Sequence, residues 1–443
     1  MTSPIRIDNE TIVAIATPPG RGGIGVIRLS GPKAFAIAAS LAGRAPENRR
    51  VVYAKFKNPK GLVVDTGLLI GFEAPKSFTG EDVVEVQGHG GPVVQDVLLK
   101  ALIHYGAKQA RAGEFSERAY LNNKIDLTQA EAIADLINSS TEQAALGAMR
   151  SLAGEFSKRV YELLERLIYL RSYVEAAIDF PEEEIDFLSD NTVQSKLNEL
   201  ETAVAECLKQ TKQGAILSTG MTLVLAGKPN AGKSSLLNKL AGQETAIVTS
   251  IAGTTRDILT QTIDVDGLPV HVLDTAGLRE ASDEVERIGV ERAERAINQA
   301  DHVLMLVDST DTEPPLPLQF PEKTTVIHTK IDLLSSKPKV GDNFMISVKT
   351  DQGLDDLNAH IQKLAGYQAD SESVFTARRR HISNLEQAQA AITRGRTQLN
   401  EHQAGELLAD ELLQAQNAIN EITGEFSSDD LLGKIFGSFC IGK

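Results

Sequence analysis

A glycine-rich octapeptide ending in lysine and serine is the strongest chemical signal in the sequence. Residues 227–234 read G-K-P-N-A-G-K-S and match the phosphate-loop pattern G-x-x-x-x-G-K-[ST]. Glycines let backbone N–H groups turn toward phosphates, and the following helix N-terminus adds positive potential. In this pattern Lys233 reaches the β- and γ-phosphates, and Ser234 holds Mg²⁺. Because an apolar strand (Thr222 to Ala226) precedes the loop and a helix (Ser235 to Leu240) follows it, the sequence predicts a nucleoside-triphosphate site.

Two later segments stand where the switches of a GTPase are expected. Gly253-Thr254-Thr255 follows the loop by about twenty residues, and Thr255 is predicted to complete Mg²⁺ coordination when the γ-phosphate is present. Asp274 to Gly277 reads D-T-A-G at the end of a strand. Asp274 would support the magnesium shell, and the Gly277 N–H would meet the γ-phosphate. Each segment alone is a weak signal that a solvated loop would also explain, and their order favours the functional interpretation.

A third segment is predicted to recognise the base. Thr329-Lys330-Ile331-Asp332 follows a strand, and the Asp332 carboxylate would accept hydrogen bonds from N1 and N2 of guanine. GTPases usually begin this segment with asparagine, so Thr329 departs from the pattern and leaves guanine selectivity less secure than hydrolysis. Ser347 to Lys349 fits the last loop beside the base only loosely.

The residue that positions the attacking water is not the usual one. Leu278 stands where Ras-like enzymes place a glutamine, and leucine cannot hydrogen-bond to water. The acidic segment 283–286 follows and offers carboxylates. Transition-state charge also needs a partner, either an arginine finger or a bound cation. The Asn230 side chain could hold a monovalent cation, or it could simply stabilise the loop.

Composition limits the class of protein. A chain of 443 residues predicts roughly three domains. The formal net charge of −15 weakly disfavours nucleic acid as a partner. Cys207 and Cys440 offer neither a metal site nor a disulfide framework, which predicts a reducing compartment. The N-terminus lacks a signal-peptide pattern, and the apolar runs are too short to span a bilayer. We therefore expect a cytoplasmic protein with no membrane partner.

The hydrophobic pattern changes character along the chain. The first 122 residues predict a strand-rich α/β unit with strands at Thr11 to Ala16, Gly25 to Leu29, Leu62 to Phe72 and Asp82 to Gln87, and a helix at Val93 to Tyr105. Helical periodicity then runs from a predicted capping box, Thr128 and Glu131, to about Ile178, is broken at Phe180-Pro181, and continues from Val193 to about Gln213. From 221 to 364 short strands alternate with helices, which predicts a mostly parallel sheet. Asp266-Gly267 predicts a hairpin at one antiparallel edge. Helical periodicity returns after 375.

Several motifs together resemble one family. The segments 17–23 (T-P-P-G-R-G-G), 78–82 (F-T-G-E-D), 87–91 (Q-G-H-G-G), 113–118 (G-E-F-S-E-R) and 439–443 (F-C-I-G-K), with Asn230 and Leu278, resemble the MnmE (TrmE) family within the TrmE-Era-EngA group of GTPases. The resemblance covers nearly the whole chain. It implies a multidomain protein of α/β and all-α parts: an N-terminal folate-binding-like domain (1–122), a discontinuous helical domain (123–218 and 373–443) and an inserted Ras-like P-loop G domain (219–372).

The resemblance also implies cofactors and partners. The N-terminal domain would form a homodimer and bind 5-formyl- or methylene-tetrahydrofolate through Arg28, Glu85, Lys124 and Lys443. K⁺ would be held by Asn230 and by main-chain oxygens of Thr249, Ile251 and Thr254 in place of an arginine finger, and the G domains of a dimer would meet on activation. Glu286 would orient the attacking water. An FAD-dependent MnmG (GidA) family partner would share the modification of the tRNA wobble uridine to a 5-aminomethyl-type product.

The predicted site residues follow from the motifs and the resemblance together. Lys233 and Glu286 are the predicted catalytic residues, and Ser234 and Thr255 the predicted Mg²⁺ ligands. The predicted GTP contacts are Asn230, Ala231, Gly232, Lys233, Ser234, Ser235, Thr249, Ser250, Ile251, Ala252, Gly253, Thr254, Thr255, Asp274, Thr275, Ala276, Gly277, Thr329, Lys330, Asp332, Ser347, Val348 and Lys349.

Structural interpretations stand beside these functional ones. Without the family, Arg28, Glu85 and Lys124 read as surface charges or ion-pair partners. Residues 378–381 (R-R-R-H) are either a basic patch for tRNA or a solvated helix face. Cys207 reads as a core residue, and Cys440 as packed or reactive. Three functional alternatives remain: a ribosome-assembly GTPase, a GTP-sensing scaffold with little turnover, and a one-carbon enzyme with GTP as its regulator. No RNA-binding KH pattern supports the first.

Overall fold

The computed structural model describes residues 10–179, 191–243, 260–274, 298, 300–311, 320–334, 344–368, 375–425 and 429–442. The chain forms two compact units, residues 1–134 with 419–443 and residues 135–418, called here the first and second units. The strands are β1 Ile12–Ile15, β2 Gly22–Ser30, β3 Val51–Lys57, β4 Val63–Phe72, β5 Val83–Gly90, β6 Lys108–Gln109, β7 Met221–Gly227, β8 Thr260–Val265, β9 Leu268–Asp274, β10 His302–Asp308, β11 Thr324–Thr329 and β12 Phe344–Met345. The helices are α1 Ala34–Ala42, α2 Pro92–His104, α3 Glu114–Leu121, α4 Leu127–Asn138, α5 Glu142–Leu152, α6 Glu155–Asp179, α7 Asn191–Thr219, α8 Lys233–Gln243, α9 Leu354–Ala365, α10 Arg379–His402, α11 Gly405–Thr423 and α12 Asp429–Gly437.

The first unit is built on a six-stranded sheet of order β3-β4-β5-β2-β1-β6. All neighbouring strands are antiparallel except β1 and β6. Helices α1 and α2 cover one face, where Ile37 and Leu102 pack among strand residues such as Phe56, Leu69 and Val84. Because side chains alternate between faces along a strand, the residues between these core positions point to the opposite face. We call that opposite face of the sheet the second face.

The start of α4 differs from the sequence prediction. The capping box is formed by Asp126 and Gln129, not by Thr128 and Glu131. The Gln129 N–H donates to Asp126 Oδ1 at 2.9 Å, and the Asp126 N–H donates to Gln129 Oε1 at 3.0 Å. The predicted pair was wrong by two residues because several adjacent residues can cap a helix, and only the backbone geometry selects one of them.

In the second unit, α7 packs against α5, α6 and α10. Phe156 of α6 stacks on Phe375, which lies four residues before the start of α10, with ring centroids 4.5 Å apart. The second sheet, of order β12-β11-β10-β7-β9-β8, comes between α7 and α10 in the chain. A helical arrangement interrupted by an α/β unit is therefore confirmed.

The second sheet matches the predicted pattern. Every neighbouring pair is parallel except β8 and β9, which form a hairpin. Asp266 and Gly267 join these two strands with φ of 50° and 91°, so both residues have the left-handed backbone that a two-residue hairpin turn needs. Among the described residues, no helix is long and apolar enough to cross a membrane.

The two cysteines differ in their burial. Cys207 is buried in α7, and burial raises the pKa of its thiol to about 11, so it stays protonated at neutral pH. The interpretation of Cys207 as a core residue is confirmed. Cys440 is exposed and free.

Two helical glycines allow a matched stability test. A Cβ on Gly214 of α7 would lie 2.1 Å from the Phe375 carbonyl oxygen, whereas a Cβ on Gly242 of α8 would meet nothing within 4 Å. We expect Gly214→Ala to lower the free energy of unfolding by about 1–3 kcal/mol, because a backbone atom must move. Gly242→Ala is expected to raise it by up to about 1 kcal/mol through helix propensity. Denaturant titration measures both, and equal signs for the two variants would contradict the packing of α7 on residue 375.

Candidate nucleotide-binding site

The phosphate loop joins β7 to α8 through a backbone that only particular residues permit. Gly227 has φ of 142°, and a Cβ there would lie 2.4 Å from the Leu306 carbonyl oxygen of the neighbouring strand β10. Asn230 and Gly232 also have positive φ, at 64° and 91°. These turns place the loop directly before the first turn of α8, and a helix N-terminus is a position at which backbone N–H groups bind phosphate.

Lys233 is buried at the start of α8, and its ammonium folds back over the loop. Its Nζ donates to the carbonyl oxygens of Gly227 and Lys228, both at 2.9 Å. The lysine is therefore already placed among phosphate-loop atoms rather than in open solvent. Ser234 and Ser235 are exposed in the same helical turn. Asp274 ends β9, in register with Leu225 of β7, so its backbone lies at the same edge of the sheet as the loop.

Thr329, the residue that departs from the usual base-binding pattern, connects that segment to the phosphate loop. Its side chain is buried, and its hydroxyl donates to the Ala231 carbonyl oxygen at 2.8 Å, with the Val307 carbonyl oxygen 3.3 Å away. The hydroxyl therefore gives Ala231 a hydrogen bond that joins the loop after β11 to the loop after β7.

The Asp332 carboxylate is fixed by a hydrogen bond from a serine in the next loop. The Ser347 hydroxyl, itself buried, donates to Asp332 Oδ1 at 2.7 Å, and the Thr350 N–H donates to the same hydroxyl at 3.2 Å. Asp332 remains exposed. An exposed carboxylate fixed on one oxygen suits recognition of a planar base edge carrying two donors. Val348 is half-buried against the core of this unit, and Lys349 is exposed.

Sequence reasoning missed one residue of this site, Asp308 at the end of β10. Lys330 has the left-handed backbone, with φ of 59°, and its Nζ lies 2.6 Å from Asp308 Oδ2. Burial raises the pKa of the Asp308 carboxyl, but hydrogen bonds from Lys330 and Thr310 outweigh it and hold the pKa below its usual value. The Asp308 carboxylate thus orients the Lys330 stem beside the base loop. Its position at the carboxyl end of a central parallel strand was the available signal.

The hydroxyl of Thr329 can be tested directly. Thr329→Val leaves the Ala231 carbonyl without its donor, so we expect GTP affinity to fall by about tenfold, the equivalent of roughly 1–2 kcal/mol. Thr329→Ser keeps the donor and should bind GTP nearly as tightly as the wild type. Titration with a fluorescent GTP analogue measures both variants. Equal affinity for the valine and serine variants would contradict a role for the hydroxyl.

In the first unit, two of the predicted folate residues lie together. Arg28 of β2 and Glu85 of β5 are direct cross-strand partners, and Arg28 Nη2 donates to Glu85 Oε1 at 2.9 Å. The Arg28 guanidinium also lies 5.6 Å from the ring centroid of Phe78. Lys124 donates to the Pro75 carbonyl oxygen at 3.0 Å. The segment from Pro75 to Phe78 therefore touches both Lys124 and Arg28.

The run at 378–381 is less exposed than a nucleic-acid patch would be. Arg378 pairs with Asp135 at 2.7 Å, and His381 is buried, with its ring centroid 5.0 Å from that of Phe156. Arg379 alone of the four is exposed. Arg378 and His381 therefore have structural partners inside the second unit.

Twelve predicted site residues lie outside the described part of the chain: Thr249, Ser250, Ile251, Ala252, Gly253, Thr254, Thr255, Thr275, Ala276, Gly277, Glu286 and Lys443. The described ones that converge on the carboxyl ends of the parallel strands in the second sheet are Asn230, Ala231, Gly232, Lys233, Ser234, Ser235, the backbone of Asp274, Thr329, Lys330, Asp332, Ser347, Val348 and Lys349. A phosphate loop and an anchored carboxylate at the carboxyl ends of β7 and β11 define a P-loop nucleotide-binding protein of the G-domain type.

Comparison with known proteins identifies the family. Residues 11–124 match the model of the GTP-binding protein TrmE N-terminus, and residues 127–440 match the MnmE helical domain. The tRNA modification GTPase MnmE of Saccharophagus degradans is 55% identical over 98% of this chain and 99% of its own length. The MnmE proteins of Pasteurella multocida and Coxiella burnetii are 53% and 54% identical, each over 98% of this chain and at least 99% of their own length. The chain belongs to the MnmE family of tRNA modification GTPases.

Family membership confirms three predictions: the family itself, the three-part fold class and a GTP-hydrolysing enzyme. Among solved structures, the G domain of the T. maritima FeoB iron transporter is 24% identical, with a TM-score of 0.25 over 33% of this chain and 98% of that one. This score is too low to bear on the fold or the activity.

Proposed function

We propose that this chain hydrolyses GTP with Mg²⁺ and K⁺, and that the cycle drives modification of the tRNA wobble uridine together with an FAD-dependent MnmG (GidA) family partner. The observation that carries the nucleotide part is the convergence of Lys233 and Asp332 on one sheet edge, joined by the bond from Thr329 to Ala231. One end of this site suits a triphosphate, and the other suits a guanine.

Lys233 and Ser234 would act on the phosphates. The Lys233 ammonium would exchange its two carbonyl partners for β- and γ-phosphate oxygens and there balance the charge that develops as the γ-phosphoryl group leaves. Ser234 is exposed and, within the described residues, its hydroxyl has no hydrogen-bond partner, so an oxygen ligand for Mg²⁺ is available at the right helical turn. The ion would supply further charge neutralisation, with Thr255 as its second protein ligand and Asp274 in its outer shell.

Asn230 supports the potassium proposal. It is exposed and has a left-handed backbone, and no described residue hydrogen-bonds to its side chain, so among these residues nothing competes with a cation for its carbonyl oxygen. K⁺ bound by Asn230 and by main-chain oxygens of Thr249, Ile251 and Thr254 would take the place of an arginine finger. Glu286 would orient the attacking water, since Leu278 cannot.

GTP turnover in KCl and in NaCl at equal ionic strength tests this mechanism. The proposal expects fast turnover in K⁺, slow turnover in Na⁺, loss of the potassium effect in Asn230→Ala and loss of turnover in Glu286→Ala. Lys209→Ala, an exposed lysine of α7, is the control and should match the wild type. Equal and slow turnover in both salts would instead favour the scaffold that senses GTP with little hydrolysis.

The first unit is proposed to carry the one-carbon donor. The paired Arg28 and Glu85 offer donors and an acceptor side by side, and Phe78, 37% exposed beneath the guanidinium, offers an aromatic face. This chemistry fits a tetrahydrofolate, whose pterin presents both donors and acceptors. Arg28, Glu85, Lys124 and Lys443 would hold the 5-formyl- or methylene-tetrahydrofolate, which supplies the carbon added to the uridine.

The proposed assembly is a homodimer. The first unit would form the homodimer, and its exposed apolar side chains Ile24 and Val93 suit a covered surface. The G domains would meet across their switches when GTP and K⁺ bind. In this arrangement residues 1–122 are the dimerisation and folate domain, 123–218 with 373–443 the helical domain, and 219–372 the G domain. The curated relatives are named tRNA modification GTPases, which supports tRNA as the macromolecular substrate.

A further inference from the structure

Basic residues are concentrated in one segment of an acidic chain. Residues 33–60 contain seven Lys or Arg and a single acidic residue, Glu47. By contrast, residues 135–418 contain 43 Asp or Glu against 27 Lys or Arg. A polyanion is repelled by the second of these regions and attracted by the first, since phosphate contacts dominate nucleic-acid affinity.

Strand β3, at the edge of the first sheet, displays this charge together with an aromatic ring. Its buried positions, such as Phe56, alternate with exposed Tyr53, Lys55 and Lys57 on the second face. Tyr53 is 61% exposed. The following turn adds exposed Lys60. We call Tyr53, Lys55, Lys57 and Lys60 the β3 surface.

No residue in the described part of the chain neutralises the charges of the β3 surface. None of its three lysines forms an ion pair with any residue that the structure describes. Lys55 lies opposite Thr66, and Tyr53 lies opposite Leu68, so their cross-strand neighbours are uncharged.

Asp65, on the neighbouring strand β4, has hydrogen-bond partners other than these lysines. The Asp65 side chain is 7% exposed, and its carboxylate accepts hydrogen bonds from His89 N at 2.8 Å and from Thr66 N at 2.8 Å, and lies 2.6 Å from His89 Nδ1. Lysine on an edge strand also discourages edge-to-edge pairing, but that role does not account for an exposed tyrosine on the same face.

The β3 surface is continuous with the pair proposed to hold the one-carbon donor. On the second face, one row of cross-strand neighbours runs from Val51 of β3 through Ile70 of β4 and Glu85 of β5 to Arg28 of β2. Tyr53 of β3 begins the adjacent row. Four strands at about 4.8 Å spacing put Arg28 roughly 14 Å from the β3 edge. That is a few nucleotide lengths, so a strand of RNA held at β3 can present a base to Arg28 and Glu85.

We propose that the β3 surface is a tRNA docking site. Lys55, Lys57 and Lys60 contact backbone phosphates, and Tyr53 stacks on an unpaired base. The inference rests on the proposed function, because it takes tRNA as the substrate and Arg28 with Glu85 as the donor site. It adds where the RNA lies and which residues hold it.

Binding of an unmodified tRNA transcript to the full chain, measured over a series of salt concentrations, tests the charges. Lys55→Glu/Lys57→Glu should bind at least tenfold more weakly, and its slope of log affinity against log salt should be shallower by about 1.5, the value for two lost phosphate contacts. Lys209→Glu/Lys363→Glu changes the net charge equally, at exposed lysines of α7 and α9, and should bind within about twofold of the wild type. GTP turnover should be unchanged in both variants. If the glutamate variant does not fold, Lys55→Ala/Lys57→Ala should show the same direction with a smaller loss.

Tyr53 provides a test that charge alone does not explain. Tyr53→Ala should bind the transcript about tenfold more weakly, whereas Tyr53→Phe, which keeps the ring, should match the wild type. Equal binding by the two lysine double variants, or a change of oligomeric state in place of RNA affinity, would overturn the inference; the second result would assign the surface to another copy of this chain. If the wild type itself does not bind the transcript, both the inference and the proposed tRNA substrate fail.

Discussion

GTP turnover of Lys233→Ala is expected to fall by at least about 10²-fold, the loss seen when one preorganised donor to a developing negative charge is removed. In the structure the ammonium rests on the carbonyl oxygens of Gly227 and Lys228, within reach of the phosphates that the loop would surround. Alanine removes this charge and leaves the loop glycines in place. Steady-state release of phosphate, measured at saturating GTP in KCl, gives the effect.

The control for this variant is Lys363→Ala, an exposed lysine of α9 in the same unit. It should turn over GTP at the wild-type rate. Far-ultraviolet circular dichroism and a thermal melt should show that Lys233→Ala is folded. A folded Lys233→Ala variant with wild-type turnover would contradict the assignment of this loop as the phosphate site.

Asp332→Asn is expected to exchange the base preference of the protein. The carboxylate would accept two hydrogen bonds from guanine, whereas an amide presents a donor where guanine also presents one. With each charge-assisted bond worth about 1.5–3 kcal/mol, GTP affinity should fall by at least about 100-fold. Xanthosine triphosphate, which carries a carbonyl in place of the 2-amino group, should bind the variant better than the wild type. Competition against a fluorescent nucleotide measures both affinities.

Ser347→Ala tests the positioning of the Asp332 carboxylate separately from its recognition of guanine. It removes the hydroxyl that holds Asp332 Oδ1 but leaves the carboxylate, so GTP affinity should fall by less than about tenfold and the preference for guanine should remain. If Asp332→Asn binds GTP as tightly as the wild type, the loop after β11 does not recognise the base.

The nucleotide site could be predicted because its signals are local. Gly227 and Gly232 occupy backbone conformations that other residues rarely adopt, and Asp266-Gly267 fills a turn that needs the same conformation. These requirements appear in sequence as fixed residues at fixed spacing. The order of the motifs then identified the sheet edge on which they meet.

Helix α1 and strand β3 were not predicted, because the hydrophobic pattern of each is weak in the sequence. The α1 sequence, A-F-A-I-A-A-S-L-A, is apolar nearly throughout, so it carries little of the periodicity that separates helix from strand. In the structure β3 alternates between buried and exposed positions, with Val52, Ala54 and Phe56 buried. The exposed valine and tyrosine weaken the contrast between the two faces in sequence, because they resemble the buried residues more than polar ones.

Helix α3 could not be predicted because its charged residues are buried. Arg118 is 4% exposed and pairs with Glu81 from a distant loop at 3.0 Å and with Glu114 at 3.1 Å. Glu114 lies one helical turn before Arg118, but only the folded chain supplies Glu81 and buries these charges, and a charged sequence read alone predicts a solvated face. Arg378 and His381 were ambiguous in sequence for the same reason, since Asp135 and Phe156 lie far from them along the chain.

GTP hydrolysis by this chain is proposed to drive modification of the wobble uridine. A direct measurement supplies the chain with the proposed FAD-dependent partner, undermodified tRNA, methylene-tetrahydrofolate, and glycine or ammonium, and quantifies the modified uridine by mass spectrometry of the digested tRNA. We expect product with GTP in KCl, and little or none with a non-hydrolysable GTP analogue or with Lys233→Ala. Equal amounts of product with GTP and with the analogue would contradict the claim and assign GTP a regulatory role.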